Sequence, residues 1–304
     1  MRIFLDNVNL ESTSGPNSFA KKISGELRKE HEVYTSINDL IDEKKRPEVQ
    51  LSFISSNYQL APIVQRLDGI YFNSEQAFNE LNLPIEATYQ TASAVIFQSD
   101  FNKKLTEKYF GKKENSFVIR NGTSLKKISD APEINHPVID DFEDVWMCAS
   151  SWRPHKRLQE NINYFLEYSK KKDCLIIAGE NPDVRVADPR VFYAGHLSWI
   201  DMISLMKRSS YFLHLAWLDH CPNVVVDARA AGCHIICSST GGTKEIAGLR
   251  STIILEDDWD YSPVRLYEPP KMNFNQKIEN TFESDIEIKN VTQEYISVFE
   301  SVKL

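Results

Sequence analysis

No Cys-x-x-Cys pair occurs anywhere in this chain. Its five cysteines, at positions 148, 174, 221, 233 and 237, are odd in number. That usage argues against a disulfide framework and fits a reducing cytoplasm, the expected location. Long apolar runs are also missing. Stretches such as Cys174-Leu-Ile-Ile-Ala178 fall far short of the roughly 20 residues that cross a bilayer, so no transmembrane segment is expected. Met1-Arg-Ile-Phe-Leu5 reads as a short strand, without the longer apolar core of a signal peptide. A basic excess is absent too: residues 1–138 carry 17 Lys/Arg against 18 Asp/Glu, and most of the net charge of −8 lies beyond them. Nucleic acid is therefore not an expected partner. Nor is there a Gly-x4-Gly-Lys-Ser/Thr loop, or a Gly-x-Gly-x-x-Gly after the first strand, which disfavours P-loop hydrolases and dinucleotide oxidoreductases. No internal repeat or low-complexity segment is visible.

What remains is 304 residues at 42% hydrophobic and 26% charged, enough for one large core or two ordinary ones. Short apolar runs alternate with helix-period segments, the pattern of parallel sheets wrapped by helices. The first half reads as strands at Ile3–Leu5, Glu32–Tyr34, Val49–Ile54, Ala94–Gln98 and Phe117–Ile119, with helices near Ser18–Glu30, Glu75–Tyr89 and Asn102–Phe110. Lys126–Asp144, with two prolines and little periodicity, reads as a linker. A second run has strands at Val145–Ala149, Cys174–Ala178, Val191–Tyr193, Tyr211–Leu215, His234–Ser238 and Ile253–Leu255. Its helices are read over Leu158–Lys170, Trp199–Lys207 and Pro222–Ala231. The expected organisation is a Rossmann-like domain over 1–138, a second over 139–285, and a final helix within 286–304 packing back on the first. Two such domains would turn the C-terminal ends of their strands toward one cleft, where open α/β sheets bind ligands.

The segment Leu215-Ala-Trp-Leu-Asp219-His-Cys-Pro222-Asn223-Val224-Val-Val-Asp227 carries the most chemistry. A strand runs into a loop, and Pro222 suits the first turn of a helix. The amides of Asn223 and Val224 would then lie at the positive end of the helix dipole, a site for an anion such as a diphosphate. Asp219 precedes the helix and Asp227 lies about a turn inside it, so one carboxylate can reach a sugar and the other a ribose. Read alone, the two are equally an initiating loop residue and a solvated helix position. After the next strand, Gly241-Gly242 allows positive φ and close approach of backbone to a ligand, or makes an ordinary turn. Upstream, Arg153 and Lys156 stand in Ser150-Ser-Trp-Arg-Pro-His-Lys-Arg157 between a strand and a helix, where they can neutralise phosphate charge.

This order of elements resembles the family 4 glycosyltransferases of the GT-B fold. That family carries Glu-x7-Glu, then a small-residue helix end, then Gly-Gly-x-x-Glu; here the sequence has Asp219-x7-Asp227 and Gly241-Gly242-Thr-Lys-Glu245. The resemblance implies an α/β GT-B fold of two Rossmann-like domains facing a central cleft. It implies Asp219 by the donor sugar, Asp227 on the ribose, and Arg153 and Lys156 on the leaving diphosphate. Gly15, in Ser12-Thr-Ser-Gly-Pro-Asn-Ser-Phe-Ala20, corresponds to a loop that closes over phosphates and acceptor; Gly195 and His196 correspond to a turn at the nucleobase. Both acids are one methylene shorter than the family's. Gln65–Gly69, Val95–Phe101 and Val118–Thr123 also resemble the family's first domain. There Arg66 and Asp68 form either an internal ion pair or a pair facing the ligand, the second being preferred.

The implied activity is a retaining transfer of a sugar from a UDP- or GDP-sugar co-substrate to a glycan or other hydroxyl acceptor, with no cofactor and no essential metal. Cys233-His-x-x-Cys237 lies on a strand whose alternation separates His234 from the cysteines, so it is not read as a metal site. Two other readings stay open: an inactive nucleotide-sugar binding module, and a nucleotide-sugar epimerase of the same fold. Lysine pairs at 103–104, 112–113 and 126–127 could bring one face to an anionic membrane, with solvated surface the preferred reading. The acceptor patterns Asn121-Gly-Thr123 and Asn290-Val-Thr292 are read as chance.

Overall fold

The computed structural model describes residues 1–12, 14–40, 45–134 and 137–303. The chain divides into two compact units: Met1–Ser124 with Tyr261–Val264 and Asp285–Leu304, and Leu125–Asp260 with Arg265–Ser284. The division falls after Ser124, earlier than the 138/139 boundary read from sequence.

In the first unit, strands β1 (Arg2–Asp6), β2 (Glu32–Tyr34), β3 (Val49–Phe53), β4 (Ile63–Leu67), β5 (Ala94–Phe97) and β6 (Ser116–Val118) form a parallel sheet in the order β2-β1-β3-β4-β5-β6. The chain leaves β1 toward β2 and returns to β3 on its other side, so strand order reverses between β1 and β3. Helices α1 (Gly15–Leu27), α2 (Phe78–Thr91) and α3 (Asp100–Phe110) wrap it. Ser99 caps α3, its Oγ accepting from the Asn102 N–H at 3.1 Å.

The second unit holds α4 (Leu125–Asp130), α5 (Pro137–Asp140), β7 (Val145–Ala149), α6 (Leu158–Tyr168), β8 (Cys174–Ala178), β9 (Val191–Gly195), α7 (Trp199–Arg208), β10 (Tyr211–His214), α8 (Asn223–Ala230), β11 (His234–Ser238), β12 (Thr252–Ile254) and β13 (Lys277–Glu279). Its sheet order is β13-β12-β11-β10-β7-β8-β9, parallel except for β13, and reverses between β7 and β10. The segment read as a linker is partly helical here, and Lys207 Nζ donates to the Ser129 and Ala131 carbonyls at the end of α4 (3.0 and 2.7 Å). Residues 135–136 of that segment lie outside the described residues.

The last helix, α9 (Ile288–Val302), belongs to the first unit. Phe19, Ala20, Ile23 and Leu27 line one face of α1 at helical spacing and pack with Val291, Tyr295 and Phe299 of α9 in one core. Gly122 lets this happen: a Cβ there would stand 2.9 Å from Val291 Cγ2 and 3.1 Å from the Ile286 carbonyl. The backbones are tied across it, Thr123 N–H to Ile286 O at 2.8 Å and Ile288 N–H to Thr123 O at 2.9 Å.

Two strands were not anticipated. β4 is wholly buried, yet its sequence Ile-Val-Gln-Arg-Leu breaks apolar continuity. Arg66, fully buried, donates to the Tyr295 hydroxyl at 3.0 Å and to Asn121 Oδ1 at 2.7 Å, and is ion-paired with Asp68. The Phe19 ring lies 4.1 Å from the guanidinium carbon. Arg66 and Asp68 are thus an internal ion pair that ties α9 to the sheet, and the preference for a ligand-facing pair is corrected. β13 is an exposed edge strand, Lys-Ile-Glu, with no apolar signal of its own.

Asn121 and Thr123 are buried, which removes that sequence as a glycosylation acceptor. Lys113 donates to the Tyr89 and Gln90 carbonyls near the end of α2 (2.8 and 3.1 Å), while Lys126 pairs with Asp130. All five cysteines are unpaired and buried. Among the described residues no helix is long and apolar enough to cross a membrane.

Candidate functional site

In the second unit Lys156, Asp219, Gly241 and Gly242 come together where strand order reverses, near the C-terminal ends of β7 and β10. After β7 the chain turns through a short 3-10 segment, Pro154–Lys156, and Arg157 adopts a left-handed conformation (φ 53°) before α6 begins. This turn brings Lys156 Nζ to 2.6 Å from Asp219 Oδ2. After β10, Leu218 is also left-handed (φ 57°), uncommon for a buried leucine, and it folds the loop back so that Asp219 meets His214 of its own strand. His214 Nε2 lies 2.9 Å from the same Oδ2, and the His220 N–H donates to Oδ1 at 3.0 Å.

Asp219 is therefore held by three donors. Burial by itself would raise its carboxyl, but the Lys156 ammonium and the His214 hydrogen bond outweigh it and hold the group well below the usual carboxylate range. Burial pushes His214 down as well, against the pull of Asp219. A neutral imidazole facing an ionised carboxylate must carry its proton on Nε2, because the carboxylate only accepts. Burial, reinforced by the Lys156 charge, lowers His155 to about 3, and burial lowers His220 to about 4.

The Gly-Gly sequence is clasped to the same loop. The Gly242 N–H donates to the Asp219 carbonyl at 2.8 Å. Gly241 sits at φ 82°, and a Cβ there would meet the Asp219 carbonyl oxygen at 2.5 Å and its nitrogen at 2.8 Å. Two motifs that look separate in sequence thus form one contact. Thr243–Glu245 continues as a 3-10 turn in which Glu245 is buried.

Pro222 is the N-cap of α8 rather than its first residue, leaving Asn223 and Val224 as the first two helical positions. Val225 and Val226 donate back to the Pro222 carbonyl (3.0 and 3.4 Å), closing the first turn of the helix. Asp227, a turn further on, is buried and accepts the Trp199 indole N–H at 3.0 Å; Trp199 as a residue is 39% exposed. Arg153 is exposed, and among the described residues none holds its guanidinium. Its neighbour Arg157 is buried against Glu256 at 2.6 Å and the Pro270 carbonyl at 2.8 Å, a structural role.

Gly195, at φ 67°, and the exposed His196 border a separate hollow of about 290 Å³ beyond β8 and β9, with Gly179, Arg185 and Tyr193. Gly15 lies in the first unit, exposed at the start of α1. Thr13 of its loop lies outside the described residues. Sequence reading missed His214 and Trp199, each the terminal residue of a strand or helix. The sequence is also read as holding no Asp-x-Asp of the kind that metal-dependent sugar transferases carry, and that reading is corrected: Asp258-Trp259-Asp260 is one. Among the described residues no group of three or more His, Cys, Asp or Glu is placed to hold a metal ion. Cys233 Sγ turns to the Met206 carbonyl and His234 to Thr252 Oγ1, so the Cys-His-x-x-Cys residues do not converge.

Two α/β units built on parallel sheets are the architecture of the GT-B fold, and solved structures agree. The chain is similar to HepE from Anabaena, solved in complex with UDP and glucose, over 98% of this chain and 99% of that one, with TM-score 0.65 and 15% identity. Sucrose-phosphate synthase from Thermosynechococcus elongatus matches over 98% and 96%, with TM-score 0.63 and 11% identity. AviGT4, a glycosyltransferase involved in avilamycin A biosynthesis, matches over 98% and 96%, with TM-score 0.62 and 11% identity. No protein-family model and no curated protein sequence matches the chain.

Proposed function

We propose that this chain is a glycosyltransferase that moves a sugar from a nucleotide-sugar donor to a hydroxyl acceptor, with retention of configuration and no cofactor or essential metal. The observation that carries the reading is the Lys156–Asp219–His214 cluster at the β7/β10 reversal, beside the N-terminus of α8. HepE's complexes with UDP, glucose and UDP-glucose support a UDP-sugar as donor; a GDP-sugar is the other candidate.

In this reading the diphosphate lies at the start of α8, where the Asn223 and Val224 amides and the helix dipole favour negative charge. Lys156 has three N–H donors, so it can keep Asp219 and still donate to a phosphate oxygen. Arg153, exposed and unheld by any described residue, swings onto the same charge. Charge developing on the departing diphosphate is then met by donors already in place. Asp219, fixed and ionised, accepts from hydroxyls of the donor sugar. Asp227 accepts from the ribose, with Trp199 holding its other side. Gly241, Gly242 and Glu245 line the approach to the donor, and Gly195 with His196 border the nucleobase. Gly15 belongs to the loop over the phosphates and acceptor. The acceptor hydroxyl attacks from the face the diphosphate leaves.

Mass spectrometry of the purified chain with UDP-, GDP- and dTDP-sugars, with and without cell extract as acceptor source, tests this. Release of nucleoside diphosphate with a new glycosylated product is expected. Binding without turnover would mean a binding module, and a rearranged sugar still on its nucleotide would mean an epimerase.

A further inference from the structure

The first unit has its own strand-order reversal, between β1 and β3, and a hollow of about 400 Å³ opens beside it. It is lined by residues following β1 (Asn7, Asn9), β2 (Thr35, Ser36) and β3 (Asn57, Tyr58), within the roughly 300–1,000 Å³ of small-molecule pockets. A reversal point in an open α/β sheet is where a ligand crevice forms.

Its chemistry is distinctive. Asp6, at the end of β1, is 1% exposed and lines the hollow. Its Oδ2 accepts from Gln50 Nε2 (3.0 Å), Ser52 Oγ (3.3 Å), Ser56 Oγ (2.9 Å) and the Asn57 N–H (2.8 Å). All four end on one oxygen. Among the described residues none donates to Oδ1, so a buried carboxylate keeps its second oxygen for something else. Asn7 is held left-handed (φ 58°) with its amide on the Phe53 carbonyl at 2.8 Å, which fixes the rim. Tyr58 is 41% exposed, its ring edge-on to Phe4 at 6.1 Å, and presents an apolar face with a polar tip. Among the described residues that line it, Asp6 is the only charged one; none of them is Lys, Arg or His.

A phosphate or carboxylate ligand would want a cation in its fork, and would instead meet Asp6. Among the described residues the start of α1, reached through Asn17, is what favours an anion, and the Asp6 charge opposes it. Amides, hydroxyls, one aromatic face and one carboxylate oxygen match an uncharged polyol.

We propose that this hollow binds an uncharged sugar, with one hydroxyl donating to Asp6 Oδ1 and the ring against Tyr58, and that it discriminates against phosphorylated sugars. That the sugar is the acceptor rests on the function proposed above; that the hollow binds it does not.

Saturation-transfer NMR on the full chain tests this with methyl hexosides and neutral disaccharides against hexose 6-phosphates, each with and without UDP. Neutral sugars should bind at least 10-fold tighter than their phosphates. Tyr58→Ala and Asp6→Asn should each weaken them at least 10-fold, and Tyr58→Ala keeps the test open if Asp6→Asn does not fold. The proposal is overturned if phosphates bind as well, if no neutral sugar binds, or if Tyr58→Ala changes nothing. UDP binding in the same samples separates the two readings. UDP bound with no neutral sugar bound overturns the hollow alone. A neutral sugar bound with no nucleotide bound leaves the hollow standing and removes the transferase reading.

Discussion

Replacing Gly241 with alanine tests whether the two motifs are mechanically one. The backbone there has φ 82°, which costs an L-residue about 1–2 kcal/mol. The new Cβ would also stand 2.5 Å from the Asp219 carbonyl oxygen and 2.8 Å from its nitrogen, neither of them the end of a flexible side chain. Relieving that overlap adds about 1–3 kcal/mol, for a total near 2–5. Gly232→Ala is the control: it lies in the same unit at φ 96°, with nothing within 4 Å of its Cβ, so it carries the backbone cost alone. The difference between the two variants is the clash. That clash acts on the residue whose carboxylate is placed at 2.6 Å from Lys156 and 2.9 Å from His214. A shift of about 1 Å breaks both hydrogen bonds and lowers turnover roughly 100-fold. Urea unfolding gives the stabilities, and nucleoside diphosphate release gives the activity. If Gly241→Ala matched Gly232→Ala in both, the clasp would be irrelevant to the site.

Three further outcomes follow from the same geometry. His155 and His220 have pKa values lowered to about 3 and about 4, below the ordinary 6.5, so on acidification the unfolded chain takes up their protons first. Stability is then lost as pH falls from about 6.5 toward 4, at about 1.4 kcal/mol per pH unit for each histidine. The depressed Asp219 carboxyl adds a further loss only below the ordinary carboxylate range. Urea unfolding at pH 7, 6 and 5 reads this, and a flat profile above pH 5 would contradict the burial of both rings. Arg157→Ala leaves the buried Glu256 without its partner and should cost about 3–5 kcal/mol in the same unfolding assay; a loss under 1 would deny the pair its structural role. His214→Leu removes a hydrogen bond to a charged group, about 1.5–3 kcal/mol, and should lower turnover about 10- to 100-fold with the fold kept. His214→Gln should recover part of it, and equal rates for the two would show that no donor is needed there.

Much of the fold was legible because most strands announce themselves. Val145–Ala149, Cys174–Ala178 and His234–Ser238 are short, apolar and bounded by turns, and they appear with those limits. β4 was hidden because Gln65 and Arg66 are satisfied only by distant groups. Gln65 donates to the Ile54 and Ile85 carbonyls at 2.6 and 3.0 Å, and Arg66 depends on Tyr295, far along the chain. No local pattern reports such partners. Lys156 and Asp219 stood out because charge beside a strand end and a helix start has few structural uses. His214 did not, since a residue inside the apolar run Tyr211–Leu215 reads as part of its packing. Only the left-handed turn at Leu218 brings it to Asp219, and nothing in a leucine signals positive φ.

The proposed transfer requires a nucleoside diphosphate to be held at the β7/β10 reversal. Isothermal titration of UDP and GDP into the intact chain and into Lys156→Ala measures that directly. At least one nucleotide should bind the unaltered chain, and Lys156→Ala should weaken it at least 10-fold while the urea midpoint shows the fold retained. If neither nucleotide binds at millimolar concentration, or if Lys156→Ala binds as tightly as the unaltered chain, the claim is contradicted.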